Sequence, residues 1–421
     1  MAVVAFSLLL AAPLHAEPRR VIVREVEGAS VAADTMEVRG VAAGPFDPAI
    51  WEGVTLHLLP DVRSPFLEPR DGKFRNIYAP SIVQNEGGWD VYYGGWDGVP
   101  NGNDCIYRVP TPDFLTFGER RTIIEHGVFR HVCNVSADRS PDGSFAMLCT
   151  TYPDENGWNK PAFFASPDGQ RWNGSAAPYA AMRKDVVAVD GYDGYADADI
   201  NGMNVLLRED GQLRMYFCNF RDGGKVFRAS GADGQRFGLD GVVVQGGGLV
   251  NDVKKFRISD GGSSAGGGAG ESSRYLMGLH LNGDRLWYAL SRDGKTFGPQ
   301  RVLATKLGDA DAHMVSVGFI VDGEQDAVGR RLLGFLYGAG AKPSLDANRI
   351  FARWLQKRAV ITVGDEQCEP RGAVGPDRQI LPLSRPATVP LELYAEDGVT
   401  LVGRSAATRF EPGRAYLVTI E

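Results

Sequence analysis

The segment Ser166-Pro167-Asp168-Gly169-Gln170-Arg171-Trp172 is the most informative stretch of this 421-residue chain, because versions of it recur. The other copies are Ser230-Gly231-Ala232-Asp233-Gly234-Gln235-Arg236-Phe237, Ser291-Arg292-Asp293-Gly294-Lys295-Thr296-Phe297 and, in degenerate form, Thr111-Pro112-Asp113-Phe114-Leu115-Thr116-Phe117. Their aromatic ends lie roughly 60 residues apart, a spacing that indicates a repeat architecture. Asp-Gly pairs are typical of tight turns, so the recurring segment is predicted to be structural.

Short apolar runs precede each turn in a fixed order of inner, second and third strand, as expected for an all-β chain. The predicted strands are Ile77–Gln84, Trp89–Gly94 and Cys105–Val109; Val132–Ala137, Phe145–Thr151 and Ala162–Ala165; Ile200–Leu207, Leu213–Phe220 and Lys225–Ala229; Val250–Ile258, Arg274–Leu281 and Arg285–Leu290; Met314–Val321, Arg331–Tyr337 and Ile350–Leu355. Five such units predict a five-bladed β-propeller over residues 50–359.

The repeat stops near residue 360, and residues 360–421 are predicted to form a small C-terminal β module. Its expected strands are Val360–Val363, Gln379–Leu383, Val389–Leu393 and Tyr416–Ile420. Residues 17–49 form an N-terminal segment in which Val21–Val26 is expected to pair with this module. A Gly-rich stretch between Ser259 and Ser273 is interpreted as a loop insertion within the fourth blade.

Composition excludes some partners. The chain carries 45 basic and 52 acidic side chains, a formal net charge of −7, which argues against nucleic acid. The apolar run Val3–Leu14 is too short for a membrane span but suits a signal peptide over residues 1–16, so we expect an exported protein with no membrane partner. Five cysteines without a C-x-x-C spacing favour neither a disulfide framework nor zinc.

Blade topology places inner-strand starts and second-to-third loops on one face, at the mouth of the axial funnel. We expect polar and aromatic side chains from all five blades there. Those selected as candidate site residues are Asn76, Tyr78, Trp96, Asp104, His131, Asp199, Arg221, Asn251, Asp252, His280, Asp311 and His313.

Carboxylates among aromatic rings and amides suit a sugar, because ring faces stack on aromatics and hydroxyls bond to Asp, Asn and Arg. Hydrolysis of a glycosidic bond needs one protonated and one ionised carboxyl. Asp199 and Asp252 are the predicted acid and base pair, with Asp104 or Asp311 as a nearby charge that tunes a pKa. The alternative is that these aspartates only cap turns.

A metal is a weaker expectation. His313 is a candidate ligand, although a single histidine is more often satisfied by local backbone groups. The segment Asp197-Ala198-Asp199-Ile200-Asn201-Gly202 begins like a calcium loop, but Arg208 stands where a bidentate Glu is required, which excludes an EF-hand. No cofactor is required, and Ca²⁺ in the funnel stays open.

The chain resembles the five-bladed β-propeller glycoside hydrolases, the superfamily that includes families 43, 32, 62 and 117. The likeness is carried by Tyr78-Ala79-Pro80-Ser81-Ile82, Trp89-Asp90-Val91-Tyr92-Tyr93-Gly94, the Asp-Gly turns and Ala312-His313-Met314-Val315-Ser316-Val317. In family 43 a histidine of the last blade lies near a central Ca²⁺, and the resemblance implies that His313 takes the position of this histidine. The acidic Glu-Gly-Pro segment of that family has no counterpart here, and Ala79 replaces the aspartate expected before Pro80.

Three functions are compatible with the sequence. The first is an inverting glycoside hydrolase acting on a polysaccharide or oligosaccharide at the axial funnel. The alternative is a non-catalytic carbohydrate-binding propeller, because the family glutamate is missing. A protein-interaction propeller is a third possibility, since a scaffold does not by itself specify a function. The sequence leaves the sugar, the linkage and the oligomeric state open.

Overall fold

The computed structural model describes residues 17–53, 55–70, 76–98, 103–202, 204–259, 271–344 and 347–421. It is nearly all β-structure, and five sheets surround a common axis, which confirms the predicted five-bladed propeller. The inner strand of each blade packs against the inner strands of the two neighbouring blades, and the first and fifth blades meet in the same way. The predicted signal peptide and most of the Gly-rich stretch lie outside the described residues.

Each blade is antiparallel from its inner to its outer strand. Blade 1 has Ile77–Asn85, Gly88–Gly95, Cys105–Thr111 and Arg121–Glu125; blade 2 has His131–Arg139, Phe145–Tyr152 and Lys160–Ser166; blade 3 has Val205–Glu209, Gln212–Cys218, Val226–Gly231 and Arg236–Val244; blade 4 has Leu249–Ser259, Glu271–His280, Arg285–Ser291 and Arg301–Thr305; blade 5 has His313–Asp322, Arg331–Gly340, Arg349–Leu355 and Leu58–Pro60.

Short elements connect the blades. Tyr179–Ala180 adds a parallel strand to blade 1, Ala188–Asp190 adds one to blade 3, and Arg171–Trp172 pairs with Ser175–Ala176. The helical segments are Pro48–Glu52, Arg183–Asp185 and Tyr195–Asp197. No helix among the described residues is long and apolar enough to cross a membrane.

The recurring Asp-Gly segments are structural turns, as the sequence predicts. Ser291 Oγ accepts hydrogen bonds from the backbone N–H groups of Asp293 and Gly294, at 3.3 and 3.0 Å. Asp293 Oδ1 then accepts from Lys295 and Thr296, both at 2.8 Å. Ser166 and Asp168 repeat this pattern, with the glycine at positive φ in each case. The recurring geometry is explained by turn chemistry alone.

An N-terminal strand closes the ring. Leu58–Pro60 is the outer strand of blade 5, pairing antiparallel with Arg349–Leu355, so the propeller begins and ends in the same sheet. The buried Asp61 fixes this closure, because its Oδ2 accepts from Trp354 Nε1 at 2.8 Å and from the Gly375 N–H at 3.1 Å. The sequence predicts only three strands for blade 5, since this fourth strand is short and distant along the chain.

A nine-stranded mixed sheet joins both ends of the chain. Arg19–Glu25 pairs antiparallel with Ala415–Ile420, and Thr35–Arg39 pairs with Arg378–Pro382. The sheet order is Glu366–Cys368, Arg358–Val363, Leu391–Tyr394, Leu401–Ser405, Arg19–Glu25, Ala415–Ile420, Thr35–Arg39, Arg378–Pro382 and Gly372–Ala373; a separate pair is Ala387–Val389 with Thr408–Phe410.

Two predicted strands differ from the structure. The inner strand of blade 3 begins at Val205 rather than Ile200, because Gly202 at φ +83 interrupts extended backbone. The predicted strand Val389–Leu393 is two strands in different sheets, Ala387–Val389 and Leu391–Tyr394, separated by Pro390. Proline lacks the N–H that a continuous ladder needs.

Candidate active site

Strand register gathers the blade 1 candidates at the funnel mouth. Ile77 pairs with Gly95, and Gly95 with Cys105, so Asn76, Trp96 and Asp104 stand at the same end of three adjacent strands. The Trp96 N–H donates to the Asn76 carbonyl at 3.1 Å. The Asn76 side chain is fully buried, and its amide atoms have no hydrogen-bond partner among the described residues.

Asp104 is the centre of this group. Its carboxyl is 4 % exposed, and Oδ2 accepts a hydrogen bond from the Tyr78 hydroxyl at 2.7 Å. Burial raises the pKa of Asp104 to about 7, although the Tyr78 hydrogen bond pulls in the opposite direction. Oδ1 accepts no hydrogen bond from any residue the structure describes. Asp104 therefore has one oxygen held by Tyr78 and one buried oxygen that has no hydrogen-bond partner among the described residues.

His131, from the start of the blade 2 inner strand, lies beside this carboxyl. Its Nδ1 is 3.6 Å from Asp104 Oδ2 and 3.4 Å from the Asp104 backbone nitrogen, whose N–H points to it. An Nδ1 that accepts a hydrogen bond carries no proton, and burial lowers the pKa of His131. The ring is therefore neutral at pH 7 and does not form an ion pair that would hold Asp104 ionised.

Two backbone kinks shape the same region. Ala79 and Asn134 have φ of 52° and 53°, and each lies within a register shift of its blade's inner strand. Non-glycine residues rarely adopt such angles, and they concentrate at functional sites. The Ala79 N–H donates to Ser316 Oγ at 3.0 Å, which ties blade 1 to blade 5 at this kink. Sequence alone contains no clear signal for either kink.

Blade 3 supplies the next part of the funnel wall. Asn134 Nδ2 is 3.4 Å from Asn201 Oδ1, so blades 2 and 3 are joined at the mouth. Asp199, two residues earlier, is half-buried, and its Oδ1 accepts from Asn159 Nδ2 at 2.8 Å. Among the described residues no hydrogen bond reaches Asp199 Oδ2. Asn219, which the sequence does not single out, accepts from the Asp199 N–H at 3.1 Å.

Asp252 is placed differently from expectation. It is 5 % exposed, its Oδ2 accepts from the Phe319 backbone N–H at 2.8 Å, and its Oδ1 pairs with Lys254 Nζ at 3.1 Å. Both oxygens are therefore engaged, Oδ2 by Phe319 of blade 5 and Oδ1 by Lys254 of its own strand. In the same way, Ser81 of blade 1 and Ser136 of blade 2 accept hydrogen bonds from backbone N–H groups of the next blade. Asp252 makes the corresponding contact from blade 4.

Asp311 also holds structure together. Its carboxylate accepts from the backbone N–H groups of Leu307 and Gly308 at 2.9 Å and from the Tyr337 hydroxyl at 2.9 Å. Tyr337 belongs to the apolar cluster between blades 4 and 5, together with Phe335 and Phe351. Asp311 thus anchors a loop to that core, and it does not share a hydrogen bond with Asp104 or Asp199.

The remaining candidates are divided between core and rim. Asn251 and His280 are buried and bonded to each other, with Nδ1 of His280 3.0 Å from Asn251 Oδ1, and burial lowers the pKa of His280 to about 4. Arg221 is exposed, and its guanidinium lies 4.7 Å over the Trp158 ring. His313 is half-buried at the start of the blade 5 inner strand.

Metal ligation finds no support in the side-chain arrangement. Among the residues the structure describes, no three His, Cys, Asp or Glu side chains are grouped to hold an ion. His313 therefore has no such group of companions within the described part of the chain. No step of the reaction proposed below depends on Ca²⁺.

Comparison with known proteins supports the fold. No protein-family model and no curated protein sequence matches the chain. A protein solved as an RGII complex is similar at a TM-score of 0.50 and 12% identity, over 73% of this chain and 94% of that protein. A candidate glycosidase from Bacteroides thetaiotaomicron has a TM-score of 0.49 at 14% identity, over 74% of this chain and 99% of that protein.

A third similar structure is the catalytic domain of a GH62 α-L-arabinofuranosidase from Coprinopsis cinerea. Its TM-score is 0.43 at 15% identity, over 77% of this chain and 97% of that domain. At 12% identity the protein solved as an RGII complex supports the fold alone, because the chemistry of a site depends on its own residues. The fold of this chain is the five-bladed β-propeller.

Proposed function

We propose that the protein is a glycoside hydrolase that cleaves an oligosaccharide or polysaccharide at the funnel mouth. The observation that carries the proposal is Asp104, a buried carboxyl with a pKa of about 7 and one oxygen that accepts no hydrogen bond from any described residue. A carboxyl that is partly protonated at neutral pH can donate a proton to a leaving group, which is the role of the general acid in glycosidases.

Asp104 takes the role of general acid in this proposal. The Tyr78 hydroxyl holds Oδ2, so the proton is delivered from Oδ1. Neutral His131 fills the space beside the carboxyl without stabilising its charge. Asp252, one of the two residues expected to be the acid or base, is not retained, because both of its oxygens already bind the scaffold.

Asp199 remains the proposed general base. Asn159 and Asn219 fix its side chain and backbone, while Oδ2 faces no hydrogen-bond donor among the described residues. In the proposed step the Asp104 proton moves to the glycosidic oxygen as the bond from that oxygen to the anomeric carbon breaks. A water attacks the opposite face of the carbon and gives its proton to Asp199, so the configuration inverts.

The test is a screen of neutral and acidic oligosaccharides for new reducing ends, with and without a chelator. The wild type should cleave at least one substrate to an inverted product, seen by proton NMR immediately after mixing. Asp104→Asn should lose at least about 100-fold in kcat, since general acid catalysis typically contributes this much. Asp309→Asn, a change at an exposed aspartate of the rim, is the matched control and should retain activity.

Other outcomes separate the alternatives. A sugar that raises the melting temperature without being cleaved would favour a carbohydrate-binding propeller, because ligand binding stabilises the folded state by mass action. Activity lost with the chelator and restored by Ca²⁺ would support the metal expectation. Full activity of Asp104→Asn would remove this residue from the mechanism.

A further inference from the structure

One aromatic side chain at the funnel mouth is exposed to solvent. Phe220 is 43% exposed, and no other Phe, Tyr or Trp of the described residues is exposed to that extent. Most aromatic rings of this protein are buried between blades, where they stabilise the core. Burial of a ring is favourable, so a ring held at the surface beside a polar funnel is a candidate contact for a ligand.

The loop that carries Phe220 is firmly held. The Phe220 N–H donates to the Asp199 carbonyl at 2.9 Å. Asn219 Oδ1 accepts from the N–H groups of both Asp199 and Arg221, and its Nδ2 donates to the Tyr192 hydroxyl at 3.0 Å. The ring also lies against Gly202, where a Cβ would be only 3.6 Å from it. The ring is therefore displayed in a fixed position, which lowers the entropic cost of binding.

Polar groups suited to sugar hydroxyls lie in and beside the segment of residues 199–202 that Phe220 contacts. Asp199 Oδ2 is an available acceptor within the described structure, and Asn201 and Asn134 present a joined pair of amides on the same wall. Along the blade 2 inner strand Asn134 follows His131 by three residues, so this wall leads directly towards Asp104. An apolar ring face next to hydroxyl partners is the arrangement that pyranose and furanose rings bind.

The charged side chains near Phe220 indicate which class of sugar can bind there. The carboxylates of Asp197 and Asp199 lie in this region, whereas the Arg221 guanidinium is already engaged by the Asp197 carbonyl at 2.8 Å and by Trp158. Asp222 and Lys225 neutralise each other at 2.8 Å. The charge of the Arg221 guanidinium offsets only one of these two carboxylates, so an anionic sugar would meet net negative charge here.

We propose that Phe220 is the stacking platform for an uncharged sugar ring of the substrate, positioned over Asp199. This inference rests on the proposed function and specifies its substrate class. Phe220 acts by positioning the sugar, and it takes no part in proton transfer.

The experiment measures binding by calorimetry in the Asp104→Asn protein, so that cleavage does not interfere. The probes are cellotriose, xylotriose, arabinotriose, mannotriose and, as the charged comparison, trigalacturonate. At least one neutral trisaccharide should bind more tightly than trigalacturonate. Adding Phe220→Ala should weaken that Kd by about tenfold, the value of an aromatic stacking contact, and Phe220→Trp should restore it.

Leu281→Ala is the matched control, because Leu281 is an exposed apolar residue in the equivalent loop of blade 4. It should leave the Kd unchanged, and thermal unfolding should show that all variants are folded. Failure of every neutral trisaccharide to bind, tighter binding of trigalacturonate, or an unchanged Kd in Phe220→Ala would each overturn the inference.

The two proposals fail in different ways. Phe220-dependent binding of a trisaccharide that the wild type never cleaves would sustain the platform and refute the hydrolase. Cleavage that Asp104→Asn abolishes and Phe220→Ala leaves unchanged would support the hydrolase and refute the platform. In an active protein, Phe220→Ala should raise KM while leaving the pH profile of kcat unchanged.

Discussion

Asp104 owes its protonation state to its surroundings. Burial disfavours the charged carboxylate, and the described residues place neither Lys nor Arg in an ion pair with it. The folded-state pKa of about 7 lies above the value near 4 of an unfolded aspartate. The contribution of Asp104 to folding stability is therefore greatest below pH 4 and is lost as the pH rises towards 7.

Asp104→Asn should remove the free-energy cost of burying an ionised carboxylate at this position. The amide is nearly isosteric and can still accept the Tyr78 hydrogen bond, but it has no charge to bury. We expect little difference in melting temperature from the wild type at pH 4 and a growing advantage of the variant between pH 5 and 8. Thermal unfolding across this pH range checks the prediction; a constant difference would contradict it.

Tyr78→Phe should shift the pH dependence of activity. The Tyr78 hydroxyl stabilises the ionised form of Asp104, so its removal should raise the pKa of Asp104 by about one unit. Because the general acid must be protonated, the alkaline limb of kcat/KM should move to higher pH by the same amount. A limb that stays in place would show that another group controls it.

The sequence predicts carboxylates at the funnel mouth but does not rank them. Asp104, Asp199, Asp252 and Asp311 all follow the same topological rule. Their roles differ because Asp252 and Asp311 meet backbone N–H groups of neighbouring segments, whereas Asp104 meets a tyrosine and a neutral histidine. Those contacts depend on the packing of blades that lie far apart in sequence.

At the level of elements, the Asp-Gly turns also join neighbouring blades. Gly234 has φ +78, and a Cβ at this position would lie 2.4 Å from the Phe163 ring of blade 2. The Tyr216 hydroxyl of blade 3 donates to the carbonyl of Gly294 in the blade 4 turn, at 2.8 Å. At Gly234 and Gly294 the glycine is thus needed both for its backbone angle and for the close approach of the preceding blade.

Gly234→Ala should destabilise the protein by about 3 kcal/mol, since it combines backbone strain with overpacking against Phe163. Gly211→Ala is the matched control: its φ is +71, but a Cβ there meets no atom within 4 Å, so only about 1 kcal/mol is expected. Denaturant unfolding measures both values. Equal losses of unfolding free energy in the two variants would show that contact between the turn and blade 2 does not stabilise the protein.

Most blade strands are predictable because each carries a compact apolar run bounded by turn residues. The inner strand Ile77–Asn85, for example, is predicted to within one residue. Strands of mixed composition are not predicted, including Thr35–Arg39, Leu401–Ser405 and Thr408–Phe410. Their identity as strands depends on partners at the opposite end of the chain, which periodicity does not reveal.

For the whole molecule, Asp61 joins three parts of the chain. It binds Trp354 of blade 5, Gly375 next to the nine-stranded sheet, and Arg63 at 2.8 Å. The closing strand, the last blade and the C-terminal sheet therefore share one buried carboxylate. Ring closure covers the edge of Arg349–Leu355, so that the three-residue strand Leu58–Pro60 forms the outer edge of blade 5.

Asp61→Ala should cost about 3 kcal/mol, because it leaves the buried Trp354 and Gly375 N–H groups without an acceptor. Asp309→Ala, at an exposed position, should change stability by less than about 0.5 kcal/mol. The midpoint of urea unfolding measures both. A near-neutral Asp61→Ala would mean that closure does not depend on this residue.

The predicted export signal concerns the molecule as a whole and lies outside the described residues. Expression of the full chain in a secreting bacterial host, followed by N-terminal sequencing, should give a mature protein that begins at Glu17. Retention of Met1 in the cell would refute the prediction.

The proposed chemistry depends most on the protonation of one carboxyl, and that can be measured without knowing the substrate. The side-chain carboxyl carbon of Asp104 is observed by carbon NMR between pH 3 and 9 and identified by its absence in Asp104→Asn. We predict titration near pH 7 in the wild type. A midpoint near 4, the value of a solvent-exposed aspartate, would contradict the proposed proton donor.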